Sequence, residues 1–239
     1  MEHIVPQSKD TSDSTIVIVP CYKRHEYTQK CISSMEEAQE YEDTLFYLVD
    51  DASEDGTSQI LESSKFNWKH VHINKFHAGL RNTLINSFML ARTFKYIVKM
   101  DNDCLVPKDW LTQIVNYLKY DVADIVSPNV MPSNAAYKYG QEDKTGLGLR
   151  PSSTVGGLWA MKSYLIKDIQ FEVIPTASGI RGAYQILNQI IVEKEPRIGW
   201  IPSIIVEDIG HWSGDHPEHI KSNSHLDYSI EVGRGVAWS

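Results

Sequence analysis

The chain has 239 residues, of which 42% are hydrophobic and 23% are charged, so it is long enough for one α/β domain with its own core and too apolar for a disordered protein. Acidic residues outnumber basic ones, 31 to 23, and the net charge of −8 disfavours nucleic acid as the main partner, while a local basic groove stays open. The 3 cysteines form no C-x-x-C motif, which is typical of a protein kept in a reducing compartment.

The N-terminal 14 residues are polar and lack the basic and apolar regions of a secretory leader. No run approaches the ~18 apolar residues that a transmembrane helix needs. We therefore expect a soluble, cytoplasmic protein without a transmembrane segment, and peripheral contact with a membrane stays open.

Apolar runs alternate with helical patterns along the first half of the chain. Residues 16–19 are a continuous β-branched run, which predicts a strand covered on both faces, as in a parallel sheet, and Pro20 ends it. Further strands are predicted at 45–49, 71–73 and 96–100, and helices at 26–41, after 57, at about 79–94 and at 110–120. This alternation predicts an α/β fold with a single doubly wound, mostly parallel sheet.

The pattern loosens after a short apolar pair at 125–126. Residues 129–154 are rich in glycine, proline and polar side chains, and a stretch of that length predicts a functional loop. A helix at about 179–194, a strand at 204–206 and an amphipathic stretch at about 217–237 are predicted next. The whole chain, 1–239, is predicted to be one domain, with a polar tail at 1–14 and two halves at about 15–126 and 127–239.

Polar groups stand at three predicted strand ends, and ligands of open α/β sheets bind outside the carboxyl ends of the strands. These groups lie at 20–24, 50–53 and 101–103. Asp101 and Asp103 form a D-x-D pair, in which one carboxylate can bind a divalent cation while the other reaches a hydroxyl. Such a pair alone is more often a surface or capping feature, but its place after a buried strand favours a ligand site.

Four segments in this order resemble the successive motifs of the family 2 glycosyltransferases with the GT-A fold: TIVIVPCYKR, FYLVDDASEDGT, HAGLRN and YIVKMDNDCLVPKDWL. The resemblance is strong over residues 15 to about 120 and looser at 156–161 and 201–214. It implies an enzyme that moves a sugar from a nucleoside diphosphate sugar, with a UDP-sugar favoured, to an unidentified acceptor. It also implies Mn²⁺ or Mg²⁺ on the diphosphate and, in most members, inversion at the sugar. The first half of the chain would then bind the donor, and the second half the acceptor.

The resemblance also implies roles for single residues. Pro20 and Tyr22 would line the base pocket, Asp50 would hydrogen-bond the base, Asp101 would lie near the ribose and Asp103 would bind the metal. The other donor-binding candidates are Lys23, Arg81, Gly157 and Trp212, of which Lys23 and Arg81 are candidates for the diphosphate.

Several of these residues have a structural alternative. Tyr22 fits equally as a ring packed on the sheet edge, and the charges of Lys23 and Arg81 as solvated ones. Asp51 is better interpreted as a carboxylate that braces its loop, and Ser53 as a helix cap. Three tryptophans are candidates for sugar stacking, although Trp159 and Trp200 are better explained as core residues, and Trp212 is favoured because it lies in a polar loop.

A second metal ligand is predicted after the last strand. Family members often supply a histidine there, for which His211 is favoured, and Asp208 is the competing ligand by register. A separate zinc site made of the C-terminal histidines has no familiar spacing and is disfavoured.

The usual acidic pair that serves as general base is missing from residues 178–184. Asp208 or Glu207 is hypothesised to act instead, because a base needs only hydrogen-bond reach of the acceptor hydroxyl. A catalytically silent nucleotide-sugar-binding module also fits the missing pair. A nucleotidyltransferase is a further alternative, but PCYKRHEY lacks the glycine-rich loop that such enzymes usually carry after the first strand.

Overall fold

The computed structural model describes residues 14–38, 42–131, 146, 148–152, 155–171 and 180–210. The strands are β1 (Thr15–Cys21), β2 (Thr44–Asp50), β3 (Lys69–Ile73), β4 (Tyr96–Met100), β5 (Cys104–Leu105), β6 (Ile125–Met131), β7 (Arg150–Pro151), β8 (Leu158–Lys162) and β9 (Ile198–Asp208). The helices are α1 (His25–Glu37), α2 (Thr57–Ser63), α3 (Leu80–Ala91), α4 (Trp110–Lys119) and α5 (Ile180–Lys194), with a short 3-10 helix at Ser163–Ile166.

One sheet carries the fold, in the order β3-β2-β1-β4-β8-β6-β9-β5, and β7 pairs with β9. The first four strands in this order are parallel to one another. β8 then runs antiparallel between β4 and β6, while β9 is parallel to β6. The predicted α/β fold is confirmed: the first predicted strands form a continuous parallel half of the sheet, and the other half is mixed.

Helices cover both faces of the sheet, which explains the unbroken apolar runs of its central strands. Val17 and Val19 of β1 pack on one side in a core shared with α1, α2 and α4. Ile16 and Ile18 pack on the other side with α3 and α5. Successive side chains of a strand alternate between faces, so a strand between two helical layers is apolar at every position.

The second half of the sheet differs from the sequence-based prediction. β6 continues to Met131 and β7 lies at 150–151, both within the stretch predicted as a loop, and β9 is much longer than the predicted 204–206. β5 and β8 were not predicted as strands. Pro128 conceals β6, because proline is rare inside a ladder, and the register shifts between Pro128 and Asn129.

The described helix α1 ends at Glu37 and α3 at Ala91, earlier than predicted. The amphipathic stretch predicted at about 217–237 and the tail at 1–13 lie outside the described residues. Within the described ranges, no helix combines the length and the apolar character needed to cross a bilayer.

Candidate active site

The carboxyl ends of β1, β2 and β4 meet at one edge of the sheet, because these strands are parallel neighbours. Their loops are tied together by hydrogen bonds. The Asp51 amide donates to the Cys21 carbonyl at 2.8 Å, and the Lys23 amide donates to Ser53 Oγ at 2.8 Å. The predicted clustering of 20–24, 50–53 and 101–103 at one edge is therefore confirmed.

Asp50 and Tyr22 form the first part of this edge. Asp50 is only 2% exposed, and its Oδ1 accepts hydrogen bonds from the Ser53 amide at 3.1 Å and from the Ser53 hydroxyl. Ser53 thus fixes Asp50 and the loop after β1, and it is not the helix cap that was predicted. The Tyr22 ring is 39% exposed and stacks on His77, with ring centroids 3.8 Å apart. Lys23 Nζ lies 5.2 Å from the centroid of the Tyr22 ring.

Asp51 braces the loop before α3, as its alternative interpretation predicted. Its Oδ1 accepts from the Ala78 amide at 2.8 Å, and its Oδ2 accepts from the Gly79 amide at 2.9 Å. His77 Nδ1 lies 3.0 Å from the same Oδ2. These contacts fix the start of α3, whose Arg81 is 5% exposed. Asp51 therefore has a structural role, and Arg81 is buried in the first turn of α3.

Asp103 lies at the centre of the edge. Its Oδ2 pairs with Arg24 Nη1 at 2.8 Å, and both side chains are largely buried. The short strand that follows, β5, pairs with β9 so that Cys104 faces Asp208. The Ile209 amide donates to the Asp103 carbonyl at 3.0 Å. The end of β9 therefore lies against the D-x-D segment, although the two are more than a hundred residues apart in the chain.

The charges around Asp103 do not balance. Burial and, after it, the neighbouring carboxylates of Asp101 and Asp208 raise the pKa of Asp103 to about 6, against the opposing charges of Arg24 and Lys99. Three carboxylates thus face two cations. This excess of negative charge favours the binding of a cation, and carboxylate oxygens are the ligands that Mg²⁺ and Mn²⁺ prefer.

Gly157 lies directly against Asp101. Lys99 pairs with the Asp101 carboxylate and also donates to the Gly157 carbonyl at 3.1 Å, and the Asp101 amide donates to that carbonyl at 3.1 Å. A Cβ added to Gly157 would stand 2.5 Å from Asp101 Oδ2. Because Gly157 has no side chain, the backbone just before β8 can lie directly against Asp101.

Glu207 and Asp208 are not equivalent. They are successive residues of β9, so their side chains point to opposite faces of the strand. Asp208 is the one whose charge acts on Asp103, and its Oδ1 accepts from the Gly210 amide at 3.1 Å. Glu207 is exposed on the other face. The structure brings Asp208 into the centre and leaves Glu207 outside it.

Two predicted residues, His211 and Trp212, lie outside the described residues, as do residues 178–179 of the segment that lacks the acidic pair. Trp159 and Trp200 are 5% and 8% exposed, which confirms them as core residues. Within the described part of the chain, no group of three His, Cys, Asp or Glu side chains is placed to hold a metal by itself. A cation at Asp103 would therefore depend on ligands from elsewhere, and Mg²⁺ sites commonly combine one or two carboxylates with substrate phosphates.

Sequence reasoning included Arg24 in the polar group at 20–24 but gave it no role, and it missed Lys99. Lys99 had a signal, because a lysine inside an apolar strand and two residues before Asp101 lies on the same face as that carboxylate. Arg24 had none beyond its place after β1. Its backbone is left-handed, with φ 63°, a conformation that its sequence does not predict.

Residues 16–184 match glycosyl transferase family 2. The chain belongs to this family. A curated relative, glycosyltransferase GlyA of Streptococcus pneumoniae, is 29% identical over 126 residues, which cover 51% of this chain and 17% of the relative. The matched residues include the loops after β1, β2 and β4 and the loop before α3, and they end before β9.

Solved structures share the fold. The mannosyltransferase PcManGT from Pyrobaculum calidifontis, in complex with GDP-Man and Mn²⁺, has a TM-score of 0.69 at 21% identity and matches 90% of this chain and 62% of its own. TarS residues 1–349 from S. aureus, in complex with UDP-GlcNAc, has a TM-score of 0.59 at 17% identity and matches 81% of this chain and 58% of its own. The chain thus spans less than two thirds of these proteins and about a sixth of GlyA, and at these identities the structural likeness establishes the GT-A fold alone.

Proposed function

We propose that the chain is a metal-dependent glycosyltransferase that moves a sugar from a nucleoside diphosphate sugar, preferably a UDP-sugar, to an acceptor hydroxyl, with inversion. One observation carries the proposal: Asp103, Asp208 and Arg24 converge where the carboxyl ends of the parallel strands open, in a chain that belongs to glycosyl transferase family 2. This edge is where an open α/β sheet binds its ligand.

The excess of carboxylates supports a place for the cation. Asp103 would bind Mn²⁺ or Mg²⁺ directly, Asp208 lies beside it, and His211 stays a proposed further ligand. When bound, such a cation neutralises the charge that builds on the leaving diphosphate. Arg24 and Lys99 hold the carboxylates in place, and the buried setting strengthens every charge interaction of the site.

The donor would lie along the remaining loops. Tyr22 is partly exposed and is proposed to stack on the base beside Pro20, and Asp50 is proposed to hydrogen-bond the base. Asp101 is proposed to face the ribose. Lys23 and Arg81 stay candidates for the diphosphate, and Trp212 for the sugar.

The general base is proposed to be Asp208. It shares the centre with Asp103, whereas Glu207, the alternative, lies on the opposite face of β9. A metal ligand and a base differ in their effect on donor binding. Asp208→Asn and Glu207→Gln are therefore compared for nucleotide affinity and for turnover. Lost turnover with intact nucleotide affinity identifies the base, lost affinity identifies a ligand, and unchanged turnover in both variants refutes the assignment.

Thermal unfolding tests the proposed function, because ligands that bind the folded state raise its melting temperature. UDP, GDP, dTDP and CMP are screened with and without Mn²⁺ on the wild type, on Asp103→Ala and on the control Asp168→Ala, whose carboxylate is exposed. We expect one diphosphate to stabilise the wild type and the control only with Mn²⁺, and Asp103→Ala not at all. No stabilisation of the wild type by any nucleotide would refute the function. Binding without turnover towards any acceptor would favour a silent binding module.

A further inference from the structure

The Arg24 guanidinium is only partly paired. Its Nη1 contacts Asp103 Oδ2 at 2.8 Å, but Nε and Nη2 are buried and have no hydrogen-bond partner within the described part of the chain. Among the described arginines, Arg24 alone has two such nitrogens. Buried donors are normally satisfied, since leaving one unpaired costs free energy. Two unpaired donors in one guanidinium therefore point to a missing acceptor.

The local backbone fixes this guanidinium at the site. Lys23 and Arg24 both have left-handed backbones, with φ 57° and 63°, a strain that recurs at ligand-binding positions. The Arg24 carbonyl accepts from the Tyr27 amide at 3.0 Å and the Thr28 amide at 3.1 Å, so it starts helix α1. The Tyr27 ring lies against the guanidinium, with its centroid 4.6 Å from Arg24 Cζ.

Gly210, which follows β9, lies against the Arg24–Asp103 pair. A Cβ added to Gly210 would clash with both Arg24 Nη2 and Asp103 Oδ2, so a larger residue there would have to displace the pair. The two unpaired nitrogens thus lie in a confined space beside the carboxylate that we propose as the metal ligand. An acceptor that reached Arg24 there would also be next to the cation.

We infer that Arg24 is a diphosphate-binding residue that exchanges partners when the donor binds. Before binding, Arg24 neutralises Asp103. When a nucleotide binds together with a cation, Asp103 would hold the cation, and the guanidinium, whose Nε and Nη2 have no partner within the described residues, would bind phosphate oxygens. Planar guanidinium groups suit phosphate oxygens, which they bind through paired N–H donors. This inference rests on the proposed function.

The exchange makes the two ligands depend on each other. A cation alone has to displace Arg24 and would leave all of its donors unpaired. A nucleotide alone meets three carboxylates and a guanidinium already engaged with Asp103. Only the pair of ligands satisfies every charged group, so each ligand should increase the affinity for the other.

Binding measurements on the ligand-free protein test this exchange. Mn²⁺ alone is measured by the electron paramagnetic resonance signal of the free ion, and UDP and GDP are measured by calorimetry with and without Mn²⁺. The variants are Arg24→Ala, Arg24→Lys and the control Lys30→Ala, which removes an exposed cation of the same helix. Melting curves confirm folding, and Arg24→Gln replaces Arg24→Ala if the latter does not fold.

In Arg24→Ala we expect the affinity for the nucleotide with Mn²⁺ to fall about 10- to 100-fold, the range for hydrogen bonds to a charged group. The affinity for Mn²⁺ alone should rise severalfold, because its competitor is gone. The affinity of Arg24→Lys for the nucleotide with Mn²⁺ should lie between those of the wild type and Arg24→Ala. Lys30→Ala should bind both ligands as the wild type does.

Three results would overturn the inference, and they can be told apart. If Arg24→Ala binds the nucleotide as tightly as the wild type, Arg24 does not bind the diphosphate, and the proposed function is untouched. If Mn²⁺ alone also binds more weakly to Arg24→Ala, the arginine supports Asp103 structurally and no exchange occurs. If the wild type binds neither nucleotide with Mn²⁺, both the exchange and the proposed function fail.

Discussion

Two clusters of carboxylates and cations lie at opposite edges of the same sheet, and they differ in how completely they are paired. At the carboxyl edge, Asp103 meets one nitrogen of Arg24. At the other edge, Arg197 donates to both oxygens of Asp124, at 2.9 and 3.0 Å, and to Asp121 at 2.7 Å. Lys162 adds a further pair to Asp124 at 2.9 Å.

The pKa values of Asp103 and Asp124 shift in opposite directions, as their different pairing predicts. Burial, together with the neighbouring carboxylates, raises the pKa of Asp103 to about 6. Burial also acts to raise the pKa of Asp124, but the hydrogen bonds from Arg197 and Lys162 outweigh it and hold the pKa far below its ordinary range. The saturated cluster joins the ends of β6, β8 and β9 and stabilises the scaffold. The unsaturated one is where a ligand would complete the pairing.

The largest expected effect separates the two clusters by activity. Asp103→Asn should lower turnover ~1000-fold, because the cation that stabilises the leaving diphosphate loses its ligand. Asp124→Asn should leave turnover per folded molecule within twofold. Both variants are assayed on the folded fraction with the donor found by the thermal screen. A loss of turnover of similar size in both would contradict the division into site and scaffold.

For the free energy of unfolding, the larger loss is expected in Asp124→Asn and not in Asp103→Asn. Asp124→Asn should lower the free energy of unfolding by about 2 kcal/mol, since charged hydrogen bonds are lost from a partly exposed arginine. At this chain length that corresponds to a melting temperature about 5 °C lower. Asp103→Asn should melt at or above the wild-type temperature, because it removes a buried charge that its neighbours repel. Calorimetry compares the two, and a larger loss in Asp103→Asn would reverse the assignment.

A third test uses two glycines at which an added Cβ would clash with a neighbouring side chain. Gly210→Ala should weaken nucleotide binding about 10-fold, because its Cβ would push Arg24 and Asp103 apart. Gly199→Ala meets Leu149 in the core instead, and it should cost about 1–3 kcal/mol of stability without changing affinity in the folded protein. Calorimetric titration and thermal melting of both variants check the contrast. Equal effects of the two substitutions on binding would contradict it.

The smallest effect is the pH dependence of stability, and the clusters should differ in its sign. Asp103 has a raised folded-state pKa, so its contribution to the free energy of unfolding falls as pH rises from about 4 to 6. The pKa of Asp124 is lowered, so its contribution is present above its ordinary pKa and is lost as pH falls below it.

Urea unfolding of the wild type and both Asn variants between pH 3.5 and 7 measures this, with pH values chosen around the ordinary carboxyl pKa. The advantage of Asp103→Asn over the wild type should grow with pH, and the deficit of Asp124→Asn should shrink towards acid pH. Parallel curves for the two variants would show that the clusters do not differ.

The donor half could be predicted in detail because its signals are local. The apolar run at 16–19 and Pro20 predicted β1 and its end, and the D-x-D pair identified the centre of the edge. The second half could not, because Pro128 conceals β6, and β8 carries no alternation that distinguishes it from a loop. Asp208 and Glu207 stood as equal candidates until the register of β9 assigned them to opposite faces.

By itself, the sequence determined the α/β class, the parallel character of the first strands and the loops that form the edge, since these follow from periodicity and from residues next to each other in the chain. Only the tertiary structure decided that Asp208 joins Asp103, that Gly157 and Gly210 leave room for the charged groups, and that Arg24 is half paired. Those contacts join residues that are distant in the chain, and their electrostatics depend on burial, which only the packed fold establishes.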